Sequence, residues 1–379
     1  MVTPGPERHL VHVTVVHTRY DTRILFKQCV SLARSGLGAV SLFVSDGKGD
    51  ETCEGVQIRD VGVPRFGRVG RMVVGSARLW ARLRRERADL VHLHDPELLP
   101  LGLILRLSGR QVVFDMHENL PKEILTKTWV SAPLRRVLSA TVRMFQAFAC
   151  RVIPTVFAEQ SYVKDFSFAK KGTVVLNFPI VDSLIGLIRP KREKFTIGYI
   201  GGVSLERGAD VMVEAVSALR DEQSVVETVI VGPVAADVEP NPVWKRGIAE
   251  GWSTATGRLK PADGWALMAS CHAGVALLRP SPNFVDSYPT KLFEYMALGL
   301  PVVVSDFPLW KSVVDDARCG LAVDPTNVTG VKDAFRWMLV HPDEAKSMGV
   351  RGREVVLNKY NWASEFKKLH DLYRELLTN

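Results

Sequence analysis

The chain reads as an α/β protein made of two doubly wound parallel-sheet domains with a cleft between them, and three observations predict this. Short, continuous apolar runs recur along its length, helical patterns separate them, and a proline- and base-rich break divides the series. Apolar continuity without alternation marks strands covered on both faces, as in a parallel sheet, and parallel neighbours need crossover helices. A length of 379 residues exceeds one ordinary core and suits two domains, each of roughly 150 to 200 residues.

In the first series the expected strands are VHVTVV (11–16), AVSLFV (39–44), DLVHLH (89–94), QVVFDM (111–116) and RVIPTV (151–156). A helix over 22–35 lies between the first two, with Gly36 placed to stop it, and successive units should cross over with the right-handed sense of βαβ folds. The stretch FPIVDSLIGLIRPKREK (178–194) reads as the linker. A second series follows: FTIGYIGG (195–202), VVETVIVG (225–232), AGVALL (273–278), PVVVSD (301–306) and GLAVD (320–324). The expected domains are therefore 1–185 and 194–360. Segment 361–379 carries Phe366, Leu369, Leu372, Tyr373, Leu376 and Leu377 at helical spacing, and this terminal helix is expected to pack back on the first domain.

Composition narrows the function classes. Apolar content of 46% and charged content of 24% are those of a globular protein, and no apolar run reaches the roughly 18 residues of a membrane span. The N-terminal MVTPGPERHL has no signal-peptide core, which points to the cytoplasm. Cysteines 29, 53, 150, 271 and 319 are scattered without metal-type spacing and read as reduced, mostly buried thiols. The net charge of +8 is uneven, with eight arginines between Arg65 and Arg87 against Glu86 alone. With Met72, Val73, Leu79, Trp80 and Leu83 among those arginines, the segment is either a solvated amphipathic helix or a face that rests on anionic lipid or a phosphate-bearing partner. A second segment, 129–148, sets Arg135, Arg136 and Arg143 among apolar residues. Nucleic acid is not an expected partner, because base-stacking aromatics are not interleaved with the basic residues and no nucleic-acid module is recognisable.

The densest motif is DSYPTKLFEYMALGLPVVVSD (286–306). Asp286 and Glu294, eight residues apart, bracket a proline-started helix that carries Lys291 and stops at Gly299 before a buried strand. Such a junction offers free backbone N–H groups and a positive dipole end to an anion, and Lys291 and Glu294 share a helical face. Phosphate and hydroxyls together suit that combination. Upstream, GGVSLERGADVMVEAVSALR (201–220) supplies Gly201 and Gly202 for close backbone approach and Arg207 just before Gly208. The GxGxxG spacing is absent, yet an arginine at a glycine turn suits a diphosphate through bidentate donation. By itself this is equally a surface arginine on a tight turn.

In the first domain, HLHDPELLP (92–100) and FDMHENLP (114–121) follow consecutive strand candidates, and ligands of open α/β sheets bind beyond the carboxyl ends of the strands. His94 with Asp95 and His117 with Glu118 repeat a histidine–acid pair at successive strand ends. The loop 17–27 adds Asp21, Arg23 and Lys27, which either contact a ligand or cap a helix. There is no DxD pair, HExxH or Cys/His cluster for a metal and no GxSxG for a hydrolase.

The glycine turn with Arg207 and Gly208, joined to the acidic motif of 286–306, resembles the donor-sugar elements of retaining GT-B glycosyltransferases of family 4. The resemblance covers nearly all of the second domain and, more loosely, the first. It implies a GT-B fold of two Rossmann-like domains, nucleotide sugar on the second and acceptor on the first. Arg207 stands at the family's phosphate-binding lysine, Glu294 at the glutamate that holds the ribose and Asp286 at the one that contacts sugar hydroxyls. His117 resembles the histidine near the donor sugar. The implied donor-binding set is Gly201, Gly202, Arg207, Asp286, Lys291 and Glu294, with His117, Arg207 and Lys291 catalytic. Asp21, Arg23, His94, Asp95 and Glu118 are the acceptor-side set, and base recognition falls near Thr256 to Leu259.

Three departures are visible. Gly202 replaces an arginine common in relatives, so Lys291 becomes the second phosphate contact; Asp286 is a methylene shorter than glutamate; and Pro289 lacks an N–H. The activity implied is retaining transfer of a sugar from a nucleotide diphosphate to an acceptor, without cofactor or metal, the leaving charge being met by Arg207, Lys291 and helix N-termini. With the basic segments, a lipid-linked acceptor at the inner face of the cytoplasmic membrane follows, in surface-polysaccharide synthesis. A sugar-nucleotide 2-epimerase of the same fold and a non-catalytic partner subunit are the alternatives.

Overall fold

The computed structural model describes residues 8–63, 75–127, 129–187, 189–222, 226–281 and 284–378. The first seven residues, the part of the basic run holding Arg65, Arg68, Arg71, Met72 and Val73, residue 188 of the expected linker, Val225 of the expected strand 225–232, and Asn379 lie outside the described residues. The chain divides into two compact units, Met1–Asn177 with Ala363–Asn379, and Phe178–Trp362.

The first unit holds an eight-stranded sheet in the order β3-β4-β2-β1-β5-β6-β7-β8. Its strands are β1 His9–Val13, β2 Ala39–Val44, β3 Glu51–Cys53, β4 Val56–Asp60, β5 Leu90–Leu93, β6 Gln111–Met116, β7 Thr155–Phe157 and β8 Gly172–Val174. All neighbours are parallel except β3 and β4, joined at Glu54 and Gly55, both with positive φ. That pair of φ values is what a two-residue turn with the twist of its flanking strands requires. Leu10, Val11, Val13, Leu90, Val91, Leu93, Val112 and Val113 are buried, as expected of central parallel strands. Strand order reverses between β1 and β5, where His12 pairs in register with His92.

Two helices of this unit differ from expectation. Segment 22–35, here α1, begins as a π-helix over Thr22–Cys29 and continues as an α-helix over Val30–Ser35 to Gly36, whose φ is 71°. The wide turn accompanies two buried cationic side chains, Arg23 and Lys27, turned inward to Asp115 and Asn177. Strand 151–156 starts later, at Thr155, because the helix α3 Ala132–Val152 runs on until Pro154 blocks its continuation. In α2, Ser76–Arg85, Leu79 and Leu83 are buried, Arg84 lies 4.6 Å above the Trp80 ring and Arg82 bonds to Asp50. Leu79 and Leu83 therefore build core, while Trp80 is exposed beneath Arg84. In α3 the polarity is inverted: Ser139 and Gln146 are buried while Leu134, Val137, Met144, Phe145 and Phe148 are exposed.

The second unit is a six-stranded, wholly parallel sheet, β11-β10-β9-β12-β13-β14. In chain order these are β9 Phe195–Ile200, β10 Val226–Val231, β11 Ser253–Ala255, β12 Ala273–Ala276, β13 Val302–Ser305 and β14 Gly320–Val323. Its core joins Ile197, Val216, Ile230, Val275, Val303 and Phe335. Strand order reverses between β9 and β12. Helix α4, Ala209–Glu222, follows β9, and helix α5, Thr290–Ala297, precedes β13. The terminal helix α6, Trp362–Thr378, places Tyr373 against the first unit's own strands.

Candidate active site

In the second unit β9 runs into Gly201, with φ 133°, and Gly202. A Cβ on Gly201 would collide with the end of the Lys291 side chain, and one on Gly232, whose φ is 142°, with the Gly201 carbonyl. Glycine is required at Gly201 by its positive φ and at Gly232 by both φ and the close backbone approach. Lys291, on the first turn of α5, lies across this turn: its Nζ donates to the Tyr199 hydroxyl at 3.0 Å and sits 4.6 Å above the Tyr199 ring. Tyr199 in turn donates to the Gly202 carbonyl at 2.5 Å. Arg207 ends the short helix Leu205–Arg207, and Gly208, with φ 69°, turns the chain into α4, where a Cβ would strike the Leu277 carbonyl. Burial first, then the Arg207 charge, pull Lys291 down to about 7, while Glu294 opposes them. Two cations that repel each other over a glycine turn form a site whose stability rises when an anion enters.

In the first unit, β1, β5 and β6 converge on a cluster of imidazoles. His12 Nδ1 lies 2.9 Å from His94 Nε2, and His94 Nδ1 lies 3.1 Å from His117 Nε2. Asp115 stands behind them, fully buried, accepting from Arg23 at 2.8 and 3.1 Å and from Gln28 at 2.5 Å. His117 Nε2 is 3.2 Å from the same carboxylate and the residue is 13% exposed. Although burial opposes it, the Arg23 charge and the two histidines hold Asp115 well below the usual carboxylate range. Burial lowers His12 and His92 well below the usual imidazole value and takes His94 to about 4. The interior of the cluster is therefore neutral apart from the Arg23–Asp115 pair.

His17, His94, Asp95, His117 and Glu118 line a pocket of about 310 Å³ with Trp129 and Leu138 on its wall. Asp95 accepts from Val15 N at 2.5 Å and from Thr14 at 3.0 Å, yet burial outweighs these bonds and raises its carboxyl. Glu118 is exposed as a residue, but loss of water around its carboxyl and the adjoining Glu123 carboxyl push it up as well. His12, His92 and His94, and likewise His94, Asp115 and His117, bring three donor atoms close enough to share a cation. Hydrogen bonds with one another, with Tyr373, or with Arg23 and Gln28 already engage most of the ring nitrogens and the carboxylate, His92 Nε2 excepted, so the arrangement is a hydrogen-bond network as it stands.

Two family models match the chain, the glycosyl transferase 4-like domain over residues 22–177 and the glycosyl transferases group 1 over residues 188–355. It is a GT-B glycosyltransferase of the GT4-like type. Among curated relatives, a GDP-mannose-dependent α-(1-6)-phosphatidylinositol monomannoside mannosyltransferase of Mycobacterium tuberculosis is 35% identical over 90 residues, 24% of this chain and 23% of that protein. The phosphatidyl-myo-inositol mannosyltransferase of Mycobacterium leprae is 24% identical over 85% of this chain and 83% of its own. Of solved structures, sucrose-phosphate synthase from Thermosynechococcus elongatus superposes with a TM-score of 0.72 at 17% identity, covering 98% of this chain and 100% of that one. Anabaena HepE in complex with UDP and glucose has the same score at 12% identity, covering 97% and 100%. At such identities the superpositions establish the fold.

Within this GT-B framework the sequence-derived residues fall into three groups. Gly201, Gly202, Arg207 and Lys291 come together in the second unit, with Glu294 near enough to act on the Lys291 charge. His94, Asp95, His117 and Glu118 share the pocket of the first unit. The remainder stand apart. Arg23 is buried as the partner of Asp115, and Asp21 spends one oxygen capping α1 through Arg23 N at 2.8 Å and Ile24 N at 2.9 Å. Asp286 is exposed, and among the described residues no hydrogen bond or ion pair joins it to the Lys291 group. Sequence reading passed over His12, His92, Asp115, Tyr199 and Tyr373. The available signal was a polar residue inside an apolar strand, as in VHVTVV, DLVHLH and QVVFDM.

Proposed function

We propose that this glycosyltransferase moves a hexosyl group from a nucleotide-diphosphate sugar to a lipid-linked acceptor, with retention at the anomeric carbon and without a metal ion. The observation that carries the reading is the pairing of Lys291 and Arg207 over the Gly201 turn, a cationic cradle whose charge suits a diphosphate. Glu294 takes the nucleotide ribose, and the pocket of the first unit takes the acceptor. Catalysis is electrostatic: the cradle is worth more as charge builds on the departing diphosphate than in the ground state. Mannosyltransferase relatives make a mannosyl donor the first to try, and the phosphatidylinositol in their names supports a lipid acceptor.

The outward apolar face of α3, flanked by exposed Arg136 and Arg143, is the surface we assign to an anionic membrane, alongside the basic run 65–87, part of which lies outside the described residues. Each basic residue at such a surface contributes about 1 kcal/mol. The test is an assay on anionic vesicles carrying a polyprenyl- or phosphatidyl-linked acceptor, with GDP- and UDP-sugars and excess chelator, the product linkage read by NMR. Transfer with retained configuration in chelator is expected. Inverted product, abolition by chelator with rescue by Mg²⁺, or sugar-nucleotide epimerisation without transfer each overturns a named part of the reading.

A further inference from the structure

The histidine cluster continues beyond His94 as an unbroken chain of single hydrogen bonds. His117 Nε2 meets His94 Nδ1 at 3.1 Å, His94 Nε2 meets His12 Nδ1 at 2.9 Å, His12 Nε2 meets the Tyr373 hydroxyl at 3.1 Å, and that hydroxyl meets His92 Nδ1 at 2.6 Å. Beyond it, His92 Nε2 is buried without a protein partner among the described residues.

A neutral imidazole has one donor and one acceptor nitrogen, so a chain in which every contact is a hydrogen bond can run in only two ways. Run outward from His117, every histidine carries its proton on Nε2 and the chain ends in an orphaned N–H at His92. Run inward from His92, every histidine carries it on Nδ1, and His117 turns a bare Nε2 lone pair toward the Asp115 carboxylate 3.2 Å away. Of these imidazoles, the donor nearest that carboxylate is His94 Nδ1 at 3.5 Å in the inward run and His117 Nε2 at 3.2 Å in the outward one. A bond to an ionised carboxylate is worth about twice a neutral one, so the closer donor decides against the inward direction in spite of the orphan.

We propose that Asp115 polarises the chain His117–His94–His12–Tyr373–His92 outward, so that all four imidazoles carry their proton on Nε2 and His117 keeps Nδ1 as an acceptor for a substrate hydroxyl. His94, His12 and Tyr373 are then positioning residues for His117, and Tyr373 brings the terminal helix into that role. His117 thereby selects a ligand group that donates a proton, a sugar hydroxyl, over a phosphate or carbonyl oxygen. This last consequence rests on the reading of His117 as a residue at the sugar; the chain itself does not.

The experiment is ring-nitrogen NMR of the intact chain labelled with 15N-histidine, tautomers being read from two-bond couplings and assigned with single His→Gln variants. In the unsubstituted protein all four are expected as Nε2–H; a mixed set overturns the chain, and a uniform Nδ1–H set overturns its direction. In Asp115→Asn the carboxylate no longer outweighs the orphan, and all four should reverse together, including His92 at the far end. Reversal confined to His117 reduces the arrangement to a local Asp–His pair and overturns the relay. If Asp115→Asn does not fold, the unsubstituted spectrum still decides. With the reversal kcat should fall about tenfold, the loss of one ordinary hydrogen bond. A reversal with kcat unchanged removes His117 from the sugar site and leaves the relay standing.

Discussion

The two units share an architecture and differ in what they place where their strand order reverses. Between β9 and β12 the second unit sets bare glycine backbone under two cations. Between β1 and β5 the first unit sets neutral imidazoles, joined nitrogen to nitrogen, behind a pocket with an apolar wall. Strand order locates both clusters, and side-chain chemistry alone gives one repelling cations and the other neutral hydrogen-bonding rings. The cation pair holds its own repulsion in the free protein, whereas the contacts among the imidazoles are hydrogen bonds, with buried unpartnered atoms at His92 Nε2, Arg23 and Gln28 among the described residues.

The comparison breaks most directly at turnover. Arg207→Ala should lower kcat roughly 10²- to 10³-fold with a smaller change in donor KM, because the diphosphate charge peaks in the transition state. His117→Ala should cost less, and equal losses would erase the division between charge-bearing and hydroxyl-binding halves. Steady-state kinetics on the two variants decides it.

Next in size is an acid sensitivity expected of the first unit. His94 titrates near 6.5 when unfolded and at about 4 when folded, so between those values the unfolded chain holds the extra proton. The contribution is complete above pH 6.5 and is lost as pH falls toward 4, amounting to roughly 3 kcal/mol for this residue. His12 and His92 act in the same direction. Hydrogen exchange at pH 5 and pH 7.5 should show β1, β5 and β6 losing protection before β9 and β12; the reverse order contradicts the assignment.

Glu294→Ala should weaken donor binding by about 1.5 to 3 kcal/mol, the value of a charge-assisted hydrogen bond, with little effect on acceptor KM. Titration calorimetry with the donor measures it directly, and unchanged affinity would detach Glu294 from the site. The smallest effect concerns protons. Lys291 sits at about 7 in the free protein, and a bound diphosphate raises it, so donor binding near pH 7.5 should take up a fraction of a proton and weaken as pH climbs. Binding heats in buffers of different ionisation enthalpy would reveal that uptake, and heats independent of buffer would place Lys291 away from the phosphates.

Much of the second unit was legible beforehand because its signals are local. Glycines 201, 202 and 208, Arg207 and the spacing from Lys291 to Glu294 are properties of short segments, and their turns and helix follow from those residues alone. Most parallel strands were legible for the same reason; β4, β8, β11 and the antiparallel β3 were not, being three to five residues long without a continuous apolar run. The start of β7 was misplaced because apolar residues at the end of α3 read equally well as strand until Pro154 is weighed.

By itself the sequence determined the class of fold, the break between two series of strands, and the cationic and glycine residues that gather at the end of β9. Only the tertiary structure decided which polar residues share a site. Register places His12 beside His92, the turn after β5 carries His94 to His117, and the terminal helix brings in Tyr373 from the far end of the chain. Periodicity cannot announce such a network, because each member is a single polar residue in an otherwise apolar element and its partners are tens to hundreds of residues away. It also decided that Arg23 serves a buried carboxylate and that α3 turns its apolar face outward. The physical reason is that burial belongs to packing: a segment encodes which side is apolar, and what covers that side is set by the rest of the chain.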